Sequence, residues 1–281
     1  MTPPLPTGLV ADMVARALAE DLGGRGDVTS IATIPADARG SFVIASREEG
    51  VLAGVQAAAE AFRQVDPDIA VEWKLGDGQE LHAGVTVATI EGPARGILTA
   101  ERTALNFLGR MSGIATLTRA YAAAIAGTGA VIAHTRKTTP GLRALELQAV
   151  RAGGGAAHRF GLDDAVLIKD NHVAVCGGVA QAVERARRHV GHMTKIAVEI
   201  DRLDQLEAAL SAGAESVLLD NFPLDDLREA VRAARGRTVL EVSGGVGLDT
   251  VRAIAETGVD VISVGAITHS APNFDLGLDA V

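Results

Sequence analysis

The sequence of 281 residues holds one cysteine, Cys176, which excludes a disulfide framework and a thiolate-based zinc site. Aromatic residues make up 3%, so stacking platforms for nucleobases are scarce. Cationic residues are outnumbered: 26 Lys and Arg against 35 Asp and Glu give a net charge of −9. Such a field attracts neither nucleic acid nor an anionic membrane. No apolar run approaches the roughly 18 residues that a membrane span requires. The N-terminal segment, broken by Asp12, Arg16, Glu20 and Asp21, lacks the uninterrupted apolar stretch of a secretion signal. A cytoplasmic enzyme is the class these absences leave. Lysine is scarce too. The four that exist, Lys74, Lys137, Lys169 and Lys195, are candidates for positions where Arg would not serve.

What is present is a chain that is 48% hydrophobic and 22% charged, the balance of an ordinary globular protein. Leu9, Val10, Met13, Val14, Ala17 and Leu18 form one helical stripe, stopped by Gly23-Gly24. Short apolar runs follow at 41–46, 51–54, 69–74 and 85–91, interrupted by a single helical stretch near 56–65. This predicts a small α+β domain. Thr99 then reads as the N-cap of a long helix reaching about Ala126. From Val131 the rhythm becomes strand, helix, strand. Strands are predicted at 131–135, 165–169, 196–200, 216–220, 238–242 and 259–264, with helices at 178–189, 203–212, 224–234 and 249–257. That is the βα repeat of a parallel sheet, and so many consecutive units suggest a barrel. No Gly-x-Gly-x-x-Gly follows the first strand, which disfavours a Rossmann nucleotide site.

In such a barrel, chemistry sits where strands end. The predicted ends read His134-Thr135-Arg136-Lys137, Lys169-Asp170-Asn171-His172, Glu199-Ile200-Asp201, Asp220-Asn221, Ser243-Gly244-Gly245 and Gly265-Ala266, while strand interiors look almost wholly apolar. One polar strand end is usually a cap or a turn, but a complete set points to a site. Arg136, Lys137 and Lys169, with His158 and Arg159 from a glycine-rich loop, form a cationic half suited to carboxylates or phosphates. Glu199 and Asp220 form an anionic half, and two carboxylates with a polyphosphate are a common way to hold Mg²⁺. The glycine-rich ends of the last two strands occupy the usual place of a phosphate cradle.

The run Thr135-Arg136-Lys137-Thr138-Thr139-Pro140-Gly141-Leu142-Arg143, the loop Gly153-Gly154-Gly155 with His158-Arg159, and Leu167-Ile168-Lys169-Asp170-Asn171-His172 together resemble the quinolinate phosphoribosyltransferase family. The likeness extends through 98–102, Glu199, 219–221, 243–245 and 264–266, covering nearly the whole chain. The resemblance implies an N-terminal α/β sandwich domain over 1–110, which makes a dimer contact, followed by an incomplete parallel α/β (TIM-like) barrel over 111–270. It also implies a tail over 271–281 that packs back on the N-terminal domain. The family barrel has seven strands, one more than is read above.

The implied reaction transfers phosphoribosyl from 5-phosphoribosyl 1-pyrophosphate to quinolinate with decarboxylation. It yields nicotinate mononucleotide, pyrophosphate and CO₂ on the de novo route to NAD. By similarity Arg136, His158, Arg159 and Lys169 surround the quinolinate carboxylates, joined by Arg102 of a neighbouring subunit in a homodimer. Thr135, Lys137, Glu199, Asp220, Ser243, Gly244, Gly245, Gly265, Ala266 and Ile267 serve phosphoribosyl pyrophosphate, and Glu199 and Asp220 face Mg²⁺. Asn106 and Gly109 share the helical face of Arg102, leaving a notch for the second subunit, while Leu105 and Leu108 point elsewhere.

The chain departs from the family pattern at Leu147-Gln148, where many members have Lys-Tyr, and at Ala157, where many have Asn or Ser. Two other functions fit less well. A molybdenum-transport-operon homologue of the same fold lacks the Lys-Asp-Asn-His run. A Schiff-base lyase would use Lys169 as nucleophile. Other polar residues read as structural: His82, His189 and His192 on the surface, His134 satisfied within its strand, Cys176 inert, 184–188 a solvated helix face, and Asp170 and Asn171 capping the loop of Lys169. His172 and His269 follow strand ends and fit either a structural or a site role.

Overall fold

In the computed structural model, which describes residues 3–281, the first helical stripe forms α1 (Thr7–Leu22). It buries Val10, Val14 and Leu18, while Leu9 stays 40% exposed, so the apolar face is narrower than its periodicity suggests. Each such burial stabilises by roughly 1.5–3 kcal/mol. Along the chain follow α2 (Val28–Thr33), β1 (Arg39–Ser46), β2 (Gly50–Val51), α3 (Val55–Val65), β3 (Ala70–Trp73), β4 (Glu80–Leu81), β5 (Thr86–Pro93) and α4 (Ala94–Ala124). Then come β6 (Val131–Ala133), α5 (Arg143–Ala152), β7 (Val166–Ile168), α6 (Asp170–Cys176), β8 (Ile196–Ile200), β9 (Ser216–Asp220), β10 (Val239–Ser243), β11 (Val261–Ser263) and β12 (Leu276–Ala280). Helices at Val179–His189, Leu206–Ser211, Leu224–Ala234 and Val251–Ala255 separate the later strands.

These elements form two compact units whose boundaries interleave. The first comprises 1–119, 138–154 and 267–281, and the second 120–137 and 155–266. The first unit holds an antiparallel sheet of order β12-β1-β5-β3 and the small pair β2-β4. Helix α3 packs on α1, and Gln64 Nε2 ties them by donating to Ala11 O at 2.9 Å. Gly54 (φ 96°) precedes α3 in the left-handed region, and a Cβ there would lie 3.0 Å from Phe107 O.

Helix α4 begins earlier than Thr99. The strand β5 ends at Pro93, and Ala94 opens the helix directly, its N–H donating to Ala38 O at 2.9 Å. Thr99 therefore sits inside the helix, and its hydroxyl donates to Asp27 Oδ2 at 3.1 Å. The expected notch at Gly109 is filled by this chain itself. Phe274 N donates to Gly109 O at 2.9 Å, and a Cβ at Gly109 would lie 2.9 Å from Phe274 O. Gly113, one turn on, lies against Pro272 in the same way.

The second unit is an all-parallel sheet of order β6-β11-β10-β9-β8-β7, the incomplete α/β barrel. The sheet has six strands, as read from the sequence, and not the seven that the resemblance implies; beyond them there is a single isolated bridge. Ala156 makes a parallel bridge to Ala133, and its N–H donates to Ile132 O at 2.7 Å. Register places Glu199, Leu218, Glu241 and Val261 in one row across β8 to β11, so their side chains share a face. Asp220 and Ser243 pair one step further on, also on that face.

Candidate active site

The C-terminal strand ends of the second unit gather the predicted cations and carboxylates. Lys169 follows β7 and pairs with Glu199 of β8, Nζ to Oε2 at 2.6 Å. The Glu199 side chain is 11% exposed and that of Lys169 49%, so the ammonium reaches out of the barrel over a largely buried carboxylate. The ion pair commits Lys169 to Glu199 and gives the Schiff-base reading no support. Next to it, His172 Nδ1 accepts from Lys169 N at 2.9 Å, reaching back over the first turn of α6. His172 therefore orients Lys169, and Asp170 Oδ1 accepts from Asn171 N at 2.7 Å in the same turn.

Asp220 ends β9. Asn221, in the left-handed region at φ 56°, turns the chain there and donates from Nδ2 to Asp220 Oδ2 at 2.9 Å. Gly244 and Gly245 follow β10 with φ of 91° and 62°, and a Cβ at Gly244 would collide with the Asn221 side chain. Two left-handed glycines leave the backbone bare next to Ser243, as a phosphate cradle needs. Gly265 follows β11, and Ala266 opens a short helix to His269. Ile267, buried, clusters with the first unit. Thr135 Oγ1 accepts from Lys137 N at 3.1 Å, and the Lys137 side chain is exposed.

The cationic half has an unusual electrostatic state. Arg136 Nε and Arg159 Nε are buried and have no hydrogen-bond partner. Burial, and then the neighbouring Arg136 guanidinium, hold Arg159 below its ordinary pKa. Two guanidinium groups are thus kept close together with donors unsatisfied, a costly arrangement that a dianion would relieve. The loop behind them is rigidly made. Arg159 Nη1 donates to Ala165 O at 3.1 Å, and Asp164 Oδ2 accepts from Phe160 N at 2.5 Å. Burial alone would raise the Asp164 pKa, but the backbone N–H groups of Phe160 and Gly161 outweigh it and hold the carboxyl low.

Sequence reading missed Glu241. It lies mid-strand in β10, 6% exposed, and its Oε1 is 3.3 Å from His158 Nε2 and accepts from Ser263 Oγ. Its signal was visible: Leu240-Glu241-Val242 puts a carboxylate inside an apolar run, and buried Glu is rare unless paired. Strand interiors are therefore not wholly apolar. His134, 1% exposed, is satisfied as expected, its Nε2 accepting from His158 N at 3.0 Å. Among the described residues no group of three His, Cys, Asp or Glu could cage a metal ion. A cation held by Glu199 and Asp220 would need further oxygens from a substrate.

The remaining candidate residues lie in the first unit or on the surface. Arg102 and Asn106 are exposed on α4, and Arg102 has no hydrogen bond or ion pair among the described residues. Leu147 and Gln148 are buried in α5, within the first unit, whereas Ala157 is exposed beside His158. His82, His189 and His192 are exposed, as is 184–188 apart from Ala186. His269 is exposed, with Nδ1 2.6 Å from Ser270 Oγ. A cavity of about 730 Å³ lies in the first unit, lined by Arg16, Asn106, Phe107, Arg110 and Leu142 among others, and none of the predicted site residues borders it. No helix among the described residues is long and apolar enough to cross a membrane.

Comparison with known proteins agrees with this geometry. Residues 27–112 match the family described as "Quinolinate phosphoribosyl transferase, N-terminal domain", and 114–279 match its "C-terminal domain". The chain is 47% identical to a nicotinate-nucleotide pyrophosphorylase (carboxylating) of Mycobacterium leprae, over 95% of this chain and 96% of that protein. It is 40% identical to a mitochondrial quinolinate phosphoribosyltransferase (decarboxylating) of Nicotiana tabacum, over 98% of this chain and 83% of that one. The solved nicotinate-nucleotide pyrophosphorylase of Francisella tularensis superposes with a TM-score of 0.95 at 41% identity, covering 99% of this chain and 98% of the other.

Proposed function

The chain belongs to the quinolinate phosphoribosyltransferase family, and from that premise we propose how its barrel serves the family reaction. The enzyme transfers phosphoribosyl from 5-phosphoribosyl 1-pyrophosphate to quinolinate with loss of CO₂, giving nicotinate mononucleotide and pyrophosphate for NAD synthesis. The observation that carries the residue assignment is the pair of buried, partnerless guanidinium nitrogens of Arg136 and Arg159. They take the adjacent carboxylates of quinolinate, with Lys169 at the rim. Arg102, exposed and unpartnered among the described residues, completes the pocket of a second subunit in a homodimer. Thr135 and Lys137 take the pyrophosphate side, and Ser243, Gly244, Gly245, Gly265, Ala266 and Ile267 the 5-phosphate. The cytoplasm is its place, where the Cys176 thiol stays reduced.

The chemistry follows from where charge develops. The pyridine nitrogen attacks the anomeric carbon as the C–O bond to pyrophosphate breaks. Glu199 and Asp220 face the sugar as it becomes cationic, and Lys137 faces the leaving group as it becomes anionic. Glu199 and Asp220, with substrate oxygens, would hold Mg²⁺, which adds charge neutralisation at the pyrophosphate. Both substrates are multiply anionic, so aligning them is much of the work. Once the ring nitrogen is cationic its charge stabilises the electron pair left on the adjacent ring carbon as CO₂ departs, and a proton then takes the place of the carboxylate. Incubation with quinolinate, phosphoribosyl pyrophosphate and Mg²⁺ tests this by formation of nicotinate mononucleotide. Equal turnover of nicotinate in place of quinolinate overturns the dicarboxylate assignment.

A further inference from the structure

His158 is placed in the carboxylate pocket by position, yet its ring has no free nitrogen. Nδ1 accepts from Arg159 N at 2.8 Å, so the ring proton is on Nε2. That Nε2 faces Glu241 Oε1 at 3.3 Å. Glu241 is 6% exposed and is held in turn by the hydroxyl of Ser263, 3% exposed. The backbone at this point is suspended between imidazoles: His134 Nε2 accepts from His158 N at 3.0 Å, and His158 Nδ1 accepts from the next N–H, that of Arg159. The two rings meet edge to face, with centroids 6.3 Å apart and planes at 66°.

The consequence turns on the His158 ring. An imidazole rotates about its second side-chain torsion in a broad, roughly two-fold well. Flipped, it would present carbon to both Arg159 N and Glu241, leaving the Arg159 N–H unpaired and Glu241 with Ser263 alone. A carboxylate at Nε2 opposes that flip and keeps the acceptor at Nδ1. What the lock delivers is the main-chain position of Arg159, whose buried Nε awaits an anion beside Arg136.

We propose that Glu241, supported by Ser263, is a positioning residue for quinolinate: through His158 it fixes Arg159 in the dicarboxylate pocket. This rests on the phosphoribosyltransferase reading of the same site.

The test compares wild-type enzyme with Glu241→Leu, Glu241→Gln and Ser263→Ala. Ser216→Ala, which removes a buried hydroxyl of β9 bonded only to Val239 O, is the packing control. Glu241→Leu is expected to raise the KM for quinolinate roughly tenfold to a hundredfold, the size found when the outer partner that orients a metal-ligating histidine is lost, with the KM for phosphoribosyl pyrophosphate within about twofold of wild type. Glu241→Gln keeps one acceptor for Nε2 and should fall between Leu and wild type. Ser216→Ala should move neither KM. If the Leu variant does not fold, Glu241→Gln and Ser263→Ala carry the same contrast.

Nitrogen-15 spectra of labelled histidine in wild-type protein give an independent readout. The His158 ring should show a protonated Nε2 and a bare Nδ1, unchanged when quinolinate binds. Equal rises in both KM values, a fall in kcat alone, unaltered kinetics, or a proton on Nδ1 would each overturn the proposal. A wild-type enzyme that does not turn over quinolinate would instead refute the reading of the site on which it rests.

Discussion

Arg110 and Glu146 form the most deeply buried ion pair of the first unit, and its disruption has a calculable effect. The Glu146 side chain is fully buried, at 0% exposure, and that of Arg110 is 24% exposed. Glu146 Oε1 accepts from Arg110 Nε at 3.2 Å, from Nη2 at 2.9 Å and from Thr139 Oγ1 at 2.7 Å, while Oε2 accepts from Thr139 N at 3.1 Å. Arg110→Met leaves a carboxylate with no cation and only the donors of Thr139. Stranding a buried charge in this way costs about 3–5 kcal/mol. At about 2–4 °C per kcal/mol for a unit of this size, the melting temperature should fall by roughly 6–20 °C. In Arg110→Met/Glu146→Leu both charges are gone, and the remaining penalty is that of neutral groups that lose a partner, Thr139 and the Thr268 and Ala271 carbonyls, about 1–3 kcal/mol for each that stays buried and unpaired. The double variant should therefore be more stable than Arg110→Met alone. Thermal and urea unfolding of the wild type, both single variants and the double variant close the cycle. A double variant destabilised by the sum of the singles would refute the claim that the pair is energetically coupled.

Four further outcomes are expected. Arg159→Met should abolish quinolinate use without lowering the melting temperature, because burial and Arg136 already disfavour its charge; a large loss of stability in calorimetry would contradict this. Asp27 caps α2, and the Ser30 side-chain and backbone bonds hold its pKa below the ordinary value of 3.8. A carboxyl depressed in the folded state stabilises above its unfolded pKa and loses that contribution as pH falls through the folded one. Unfolding below about pH 4 should therefore be less steep with pH in Asp27→Asn than in wild type, and parallel curves would remove the cap from that account. Activity should vanish in chelator and return with Mg²⁺ or Mn²⁺, and Glu199→Gln and Asp220→Asn should weaken turnover at saturating quinolinate; undiminished activity in metal-free buffer would exclude the metal. Mixing Arg102→Ala with Lys137→Ala under subunit exchange should restore about half of wild-type activity per heterodimer, one pocket carrying both defects and the other neither. No recovery in proven heterodimers would place Arg102 outside a partner's site.

Legibility tracked the range of the interaction. The parallel unit was readable because each strand carries its own signal, an apolar run with a polar end, and Lys169 and Glu199 fell on adjacent ends that register brings to 2.6 Å. Thr99 misled because a Ser/Thr-x-x-charged pattern looks the same inside a helix as at its start, and only the direct run from Pro93 into Ala94 decides. Gly109 misled for the opposite reason: its partner, Phe274, lies far along the chain, and no local pattern announces it. A lone carboxylate among apolar residues, such as Glu241 or Glu146, signals a buried pair, but its partner and so its role are supplied only by the tertiary fold.

The closing of α4 by residues 272–274 and the pairing of β12 with β1 have a consequence for biogenesis. Every strand of the parallel unit lies within residues 131–263, so its sheet can form before residues 272–280 have found their places. The other unit was begun first, yet at that moment it lacks an edge strand and the segment that covers Gly109 and Gly113. Its β1 strand then presents open backbone groups, the kind of edge on which nascent chains associate. Completion runs against the order of the sequence, and the interval before residues 272–280 dock is when the folding polypeptide most needs protection from its neighbours.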